Sequence, residues 1–450
     1  MSADRLPRPL RLGIRENAAQ YAALVLVSMF VGGMVGLERT VLPLLAERDF
    51  GLTSRTVILS FIVGFGLAKA ASNLLAGVAS DRFGRKRVLV TGWIIGLPVP
   101  LLIMWAPNWG WIVFANVLLG IHQGLCWSAT VIMKIDLAGP ARRGFAMGLN
   151  EATSYVAVSL AALASGFLAG AYAPRPQPFY LGVAFSVLGL LLSALWVRET
   201  RDHARLESRS WEDGPRAPAA ALAPVRPSFA RLMWVESWRD RTLFSASQVG
   251  FFNNLNDGMA WGLFPLYFAG AGLDLPTIGV LAAIYPGVWG VLQFVTGPLS
   301  DRVGRKLPIV GGMWLQAAAL GMVVVWPGVT GWAAAMALLG LGTALVYPTL
   351  IGAVSDVTHP DGRASAVGVY RLWRDTGYAV GALAAGALAD RFGVGWAIGS
   401  VAVLTMLSGT AAAAVMRETL PGRMPTGDPA RGGRFGLTAR GPVPRFPEEV

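Results

Sequence analysis

Twelve stretches of about 20 mostly apolar residues recur along this chain, and they constrain its fold more than any other feature. A helix needs roughly 20 apolar residues to cross about 30 Å of hydrocarbon. Leu, Ala, Val and Gly dominate the stretches without a two-residue alternation, which favours helices over the strands of an outer-membrane barrel. The predicted spans 1 to 12 cover residues 21–45, 57–79, 88–106, 111–133, 145–171, 179–197, 243–268, 277–299, 309–326, 332–354, 365–388 and 396–416.

The composition supports a membrane location. Asp, Glu, Lys and Arg make up 14% of the 450 residues, and hydrophobic residues make up 54%. An average soluble domain carries about 25% charged residues, which it needs to cover its water-exposed surface. We therefore predict an all-α membrane protein of twelve transmembrane helices. The first span is too long for the core of a signal peptide and is expected to be retained.

The formal net charge of +12 is compatible with nucleic-acid binding, but the distribution of the charges indicates membrane orientation. Segments on one side of the predicted membrane carry 30 of the 38 Lys and Arg residues, loops on the other side carry 4, and 4 lie inside spans. Lys and Arg are enriched on the cytoplasmic side of membrane proteins. We predict a multi-pass protein of the bacterial inner (plasma) membrane with both termini cytoplasmic and no nucleic-acid partner.

One unit of six spans is used twice. Residues 77–86 read Gly-Val-Ala-Ser-Asp-Arg-Phe-Gly-Arg-Lys, and the related Gly-Pro-Leu-Ser-Asp-Arg-Val-Gly-Arg-Lys follows at 297–306. Arg-Glu-Thr at 198–200 likewise recurs at 417–419. Parallel six-span repeats suit a transporter whose site lies between the halves. The predicted organisation is a cytoplasmic N-terminal segment 1–20, an N-terminal half 21–197, a cytoplasmic linker 198–242, a C-terminal half 243–416 and a cytoplasmic tail 417–450.

The duplicated pattern Gly-x-x-x-Asp-Arg-x-Gly-Arg-Lys lies in the predicted cytoplasmic loops after spans 2 and 8, where it resembles the signature loop of the major facilitator superfamily (MFS). The resemblance covers residues 20–417. It implies the MFS fold of two pseudo-symmetric six-helix halves and secondary transport of a small molecule by alternating access, without a cofactor or an enzymatic reaction. Two departures count against a drug–proton antiporter. Asn116 stands where many proton-coupled members have Arg, and span 5 lacks the Gly-Pro core typical of antiporters.

Each signature loop is predicted to act as a conformational lock. Asp81 and Asp301 end their helices, where the helix dipole disfavours a carboxylate, so each needs a partner such as a neighbouring helix N-terminus or the following Arg. Gly77 and Gly297 are expected to let another helix approach closely. Glu151, near the cytoplasmic end of span 5, is predicted to join two helices as a further lock. The predicted lock residues are Gly77, Asp81, Arg82, Gly84, Arg85, Lys86, Gly297, Asp301, Arg302, Gly304, Arg305, Lys306 and Glu151.

Ionisable side chains inside spans are costly in lipid and usually line a cavity or pair with each other. Glu38 and Arg39 are adjacent and point about 100° apart, which predicts different partners. Arg371 and Asp375 share a helical face, so an intrahelical pair and substrate binding are both open. His122 is expected to be either a satisfied polar residue between helices or a proton carrier. The candidate substrate or coupling residues are Glu38, Arg39, Lys69, His122, Asp257, Arg371, Arg374 and Asp375.

The leading functional prediction is proton-coupled secondary transport, with Glu38 as the proton carrier and Asp257 as a substrate contact. MFS frequencies favour export of a small organic compound. Uptake of an organic anion or zwitterion by symport is the alternative, which the four basic residues inside spans would suit. No Gly-x-x-x-x-Gly-Lys-Ser/Thr sequence is present, so ATP is not expected to be the direct energy source.

A membrane-embedded enzyme or a non-transporting receptor is the rival class. An enzyme should show a nucleophile with its base or a metal-ligand pair such as His-Glu-x-x-His, but the three His residues are far apart. A receptor that had lost transport should have degraded signature loops, and both loops are intact. Cys126 is the only cysteine, so a disulfide within the chain and a cysteine-based metal site are excluded. We expect a monomer in the lipid bilayer, without metal or cofactor.

Overall fold

The computed structural model describes residues 12–139, 143–212, 233–358 and 363–420. Across these residues twelve long helices follow one another, and each contains its predicted apolar stretch to within two residues. The twelve-helix prediction is confirmed. Spans 1 to 12 are the helices Ala18–Arg48, Arg55–Phe83, Arg85–Met104, Trp109–Ala138, Arg143–Ala171, Gln177–Trp196, Arg241–Gly270, Leu275–Val303, Lys306–Val325, Val329–Val357, Arg363–Phe392 and Val394–Val415.

Ten of the helices in the described part of the chain are long and apolar enough to cross a membrane by composition alone. Spans 7 and 11 are the other two, and each has 30 residues. Span 7 carries Asn253, Asn254 and Asp257, and span 11 carries Arg374 and Asp375. All five side chains are buried. The two least apolar spans therefore turn their polar residues into the bundle, where protein groups replace water as partners.

The outer surface of the bundle is apolar, as contact with lipid tails requires. Large apolar side chains stand out from it, including Leu195 at 80% exposure and Val325 at 82%. Spans 6 and 12 are the least buried of the ten apolar helices, with 28% and 33% of their most apolar window inside the protein. These two helices lie at the periphery of the bundle.

The two halves meet along a seam at which span 5 packs on span 8, span 2 on span 11 and span 1 on span 7. We call the end of the bundle with the signature-loop turns at Gly84 and Gly304 the loop end, and the opposite end the distal end. The halves touch closely towards the distal end. A Cβ atom added to Gly166 of span 5 would lie 2.7 Å from the Cα of Gly279 in span 8. Only small residues permit this approach.

A carboxylate clasp closes the distal end. Asp390 of span 11 accepts hydrogen bonds from the hydroxyls of Ser54 and Thr56, both 2.7 Å long, and from the backbone N–H groups of Arg55 and Thr56. The first N–H groups of a helix have no partner within that helix. The C-terminal half thus supplies the N-terminal cap of span 2, which belongs to the N-terminal half.

At the loop end, the repeated Arg-Glu-Thr sequences cap the helices that follow the signature loops. Glu199 accepts hydrogen bonds from the backbone N–H groups of Arg85 and Lys86, both at 3.1 Å. Glu418 does the same for Arg305 at 2.8 Å and Lys306 at 3.2 Å. A carboxylate at a helix N-terminus satisfies free donors and complements the dipole.

The stabilisation that the Glu418 cap provides depends on pH. Burial opposes ionisation there, but backbone N–H donors from Arg305, Leu420, Lys306 and Thr419 hold the pKa of the Glu418 carboxyl below its usual range. A lowered pKa means that the ionised carboxylate stabilises the folded protein above its ordinary pKa. This stabilisation is lost as the pH falls through the lowered value. The cap therefore remains in place throughout the neutral range.

A candidate substrate and coupling site at the seam

A buried ion pair joins span 1 to span 7 across the seam. The two terminal nitrogens of Arg39 donate to the two carboxylate oxygens of Asp257, at 2.7 and 2.8 Å. The hydroxyl of Tyr378 donates a third hydrogen bond to Asp257, at 2.6 Å. This two-pronged geometry is the strongest that Arg and a carboxylate form. Arg39 and Asp257 each lack an oppositely charged partner on their own helix and find one in the other half.

A second charged cluster joins span 2 to span 11. Two nitrogens of Arg374 bind one oxygen of Asp375, at 2.8 and 2.7 Å. Asn73 of span 2 donates to the other oxygen at 2.5 Å. Lys69, also in span 2, places its ammonium nitrogen 3.9 Å from Asp375. Here the structure differs from the expected pair of Arg371 with Asp375, because the neighbouring Arg374 folds back onto the carboxylate.

An aromatic wall lies beside this second cluster. The ring of Tyr155 in span 5 stacks on Trp289 in span 8, with 3.5 Å between the ring centroids. Tyr347 of span 10 packs edge-on against both rings, at 5.9 and 5.1 Å. Its hydroxyl accepts a 2.7 Å hydrogen bond from Arg374. The charged cluster and the aromatic rings therefore lie side by side at the seam between the two halves, in the middle of the bundle.

Glu38 is 1% exposed and lies apart from its neighbour Arg39, as their 100° separation predicts. The polar side chain against it is that of Asn116 in span 4. One oxygen of Glu38 and the amide oxygen of Asn116 are buried without a hydrogen-bond partner in the described part of the chain. Among the described residues no cation lies within 4.0 Å of the carboxyl, so Lys69 and the span 11 arginines are not its partners in this conformation.

Lys134 is a buried polar residue that the sequence analysis did not identify. Predicted span 4 ends at residue 133, so Lys134 counts among the basic loop residues that indicate orientation. The structure buries it completely near the loop end of span 4. Its ammonium group donates to Ser28 at 2.6 Å and to Asn150 at 2.7 Å. Asn150 in turn donates to Glu151 at 3.3 Å, and Trp127 donates to the same Glu151 oxygen at 2.8 Å. Glu151 thus joins span 5 to span 4 within one half.

Two further candidates take part in neither ion pair among the described residues. His122 packs against Trp93 of span 3 with 4.5 Å between ring centroids, and its Nδ1 is 3.0 Å from the carbonyl oxygen of Gly92. It therefore lies buried between spans 3 and 4 of the N-terminal half. Arg371 is partly buried and forms no ion pair with another described residue.

The two signature-loop carboxylates do not bridge the halves through any of the described residues in this conformation. Asp81 and Asp301 pair with Arg85 and Arg305 four residues on, at 3.2 and 2.7 Å, and their side chains are 77% and 62% exposed. Those arginines also reach Asp136 and Asp356 at 3.2 and 3.0 Å.

No helix in the described part of the chain makes the close approach expected at the signature-loop glycines. A Cβ atom on Gly77 or Gly297 would meet nothing within 4 Å among the described residues. The described residues therefore leave the corresponding loop-end surfaces of spans 2 and 8 uncovered while the distal end is closed.

Two six-helix halves with charged residues paired across their seam define a membrane transport protein. The sequence profile of the Major Facilitator Superfamily matches residues 24–252 and 246–444, and the chain belongs to this superfamily. The resemblance stated from the duplicated loops is thereby confirmed.

Individual relatives are distant. The chain is 26% identical over 430 residues to the tetracycline resistance protein, class C, of Escherichia coli, covering 90% of this chain and 100% of that protein. It is 27% identical over 307 residues to the 3-(3-hydroxy-phenyl)propionate transporter of Escherichia coli (strain K12), covering 66% of this chain and 70% of that protein. A crystal structure of a bacterial homolog of the human lysosomal transporter Spinster, inward-facing and unoccupied, superposes with a TM-score of 0.66 at 14% identity. That match covers 87% of this chain and 96% of that one, and at this identity it concerns the fold.

Proposed function

We propose that this protein is a proton-coupled secondary transporter that exports a small organic compound across the bacterial inner membrane by alternating access. The observation that carries the proposal is the pairing of buried charges across the seam, Arg39 with Asp257 and Lys69 with Asp375. Ion pairs between halves can break and re-form as the halves rock, which links the occupancy of a central site to the direction in which it opens.

The direction of transport rests on the likeness to a tetracycline resistance protein over that protein's whole length. Uptake of an organic anion or zwitterion by symport is the second candidate. It is favoured by the cluster around Asp375, where two cations, Lys69 and Arg374, share one carboxylate.

Glu38 is the proposed proton carrier. An unpaired carboxylate at membrane depth is costly, whereas a carboxylic acid is tolerated there and can donate a hydrogen bond. The side chain of Asn116 lies against Glu38, and its amide oxygen has no hydrogen-bond partner among the described residues. Protonated Glu38 would be able to donate a hydrogen bond to this oxygen. Asn116 would accept it without the fixed positive charge that an arginine would bring and that would favour the ionised carboxylate.

The proposal predicts coupled movement of solute and protons in reconstituted vesicles. Proteoliposomes loaded with a pH-sensitive dye would be tested with tetracycline and with 3-(3-hydroxyphenyl)propionate, with and without an imposed pH gradient. A transported compound should change the internal pH and accumulate when the gradient is imposed. Vesicles that behave like protein-free controls with both compounds, in both gradient directions, would favour a non-transporting receptor.

The proposed orientation predicts a labelling pattern for single cysteines in a Cys126→Ser background. Arg82 and Arg302 are exposed at the loop end, and Asn108 and Ala271 are exposed at the distal end. An impermeant thiol reagent should label cysteines at Asn108 and Ala271 in intact cells, and those at Arg82 and Arg302 only after the cells are opened. The reverse pattern would overturn the cytoplasmic placement of the termini.

The signature-loop lock predicts a loss of transport in Asp81→Asn with little loss of folding. Asp81 is highly exposed here, so the substitution should not disturb the conformation that is closed at the distal end. It should instead destabilise the opposite conformation, in which the lock would engage. Transport would be measured against Asp301→Asn, for which a smaller loss is expected. Normal transport by Asp81→Asn, at wild-type protein levels, would remove this carboxylate from the lock.

A further inference from the structure

The cluster around Asp375 contains Lys69, a cation whose N–H donors have no hydrogen-bond acceptor among the described residues. Asp375 already accepts three hydrogen bonds, from Arg374 at 2.8 Å, from Asn73 at 2.5 Å and from Asn254 at 3.3 Å, and a second nitrogen of Arg374 lies 2.7 Å from the same oxygen. The ammonium group of Lys69 stays 3.9 Å from that carboxylate and makes no hydrogen bond of 3.5 Å or less within the described residues. Lys69 carries three donors and is only 7% exposed.

Aromatic rings take the place of acceptors around Lys69. Its nitrogen lies 4.8 Å from the ring centroid of Tyr378, 5.5 Å from that of Phe65 and 6.0 Å from that of Trp127. Cation–π contacts of this kind contribute about 0.5–2 kcal/mol each, which does not replace the hydration of an ammonium ion. An additional anionic acceptor would complete the coordination of Lys69.

The residues around this position form a closed circuit of contacts. Trp127 packs against Tyr155 at 5.6 Å, and the circuit continues through Trp289 and Tyr347 to Arg374, Asp375 and back to Lys69. The residues of the circuit lie on spans 2, 4 and 5 of the N-terminal half and on spans 8, 10 and 11 of the C-terminal half. One side of the circuit is cationic and the other is a wall of flat rings.

From this arrangement we infer that the transported compound is a carboxylate with a flat aromatic body. The carboxylate is bound by Lys69 and Arg374, and the ring is seated against Tyr155 and Trp289. The inference rests on the proposed transport function and names its substrate class. Asp257 does not compete for a substrate cation, because Arg39 and Tyr378 occupy both of its oxygens.

Glu151 is a competing feature at this circuit, since one of its oxygens is buried without a hydrogen-bond partner among the described residues. A substrate cation would bind there. The two possibilities are separated by compounds that share one skeleton and differ in one group. The probes are 3-phenylpropanoate, its neutral amide, the amine 3-phenylpropylamine and the saturated 3-cyclohexylpropanoate.

The test is thermal stabilisation of the detergent-solubilised full-length protein by each probe over a concentration series, because a bound ligand stabilises the folded state. Both carboxylates should raise the melting temperature, the aromatic one at lower concentration, while the amide and the amine should not. Lys69→Gln should weaken binding of 3-phenylpropanoate roughly 10- to 100-fold, the loss expected for a hydrogen bond to a charged group. Trp289→Leu should remove the preference for the aromatic ring.

Two variants serve as controls for folding and for total charge. Lys69→Arg keeps the cation and should retain binding, and Arg48→Gln removes an exposed cation at the distal end and should bind like the wild type. An equal response to acid and amide, a larger response to the amine, no response to either acid, or unchanged binding by a folded Lys69→Gln would each overturn the inference. If the amine binds and is also moved by a pH gradient in proteoliposomes, the proposed transport stands and the carboxylate assignment fails.

Discussion

Asp257→Asn is expected to abolish transport and to destabilise the protein by about 3–5 kcal/mol, the cost of leaving one member of a buried ion pair without its partner. The substitution keeps the size of the side chain but removes the charge that Arg39 binds at 2.7 and 2.8 Å. Arg39 is 4% exposed, so water cannot take over this role without rearrangement of the seam. The melting temperature and the transport rate in proteoliposomes measure the two effects.

The double variant Arg39→Gln/Asp257→Asn separates stability from function. Removing both charges leaves no uncompensated ion, so much of the lost stability should return. Transport should remain impaired if the pair is part of the switching between conformations. A single Asp257→Asn variant with wild-type stability would contradict the bidentate pair. Recovery of full transport in the double variant would show that the pair is only structural.

Glu38→Gln is expected to abolish accumulation driven by a pH gradient while sparing exchange of substrate across the membrane. Glutamine cannot carry a proton between the two sides, but it has nearly the same shape and keeps a polar side chain against Asn116. Exchange requires only that the loaded protein switch between its two conformations. Uptake into proteoliposomes with an imposed gradient, compared with counterflow at equal pH, would distinguish the two activities.

Asp202→Asn is the matched control for Glu38→Gln, because Asp202 lies exposed in the linker helix Arg201–Glu212 and pairs with Arg205 in the same helix. It should accumulate substrate like the wild type. Retention of full pH-driven accumulation by Glu38→Gln would move the proton to Asp257 or His122, or would indicate another coupling ion.

The helices and the repeat could be predicted from the sequence because their signals are local. Apolar runs and the Gly-x-x-x-Asp-Arg-x-Gly-Arg-Lys pattern need no knowledge of the rest of the molecule. The partners of the buried charges could not be predicted, since Arg39 and Asp257 are 218 residues apart and meet only when the halves pack.

Local patterns also misdirected two assignments. Helical spacing suggested Arg371 as the partner of Asp375, but the long side chain of Arg374 reaches the carboxylate from the adjacent position. Lys134 looked like a loop cation because it follows an apolar run, yet the helix continues to Ala138 and carries it into the protein. A basic residue near the end of a span is weak information about orientation when its neighbours can satisfy it.

The distal clasp implies that the apparent affinity for substrate differs between the two sides of the membrane. Opening the distal end must release four donors from Asp390, so at rest most molecules should present their site towards the loop end. A compound approaching from the distal side then binds only the small open fraction, and its apparent dissociation constant rises in inverse proportion to that fraction. The same chemical contacts would therefore look high-affinity from one compartment and low-affinity from the other, before any proton gradient is applied.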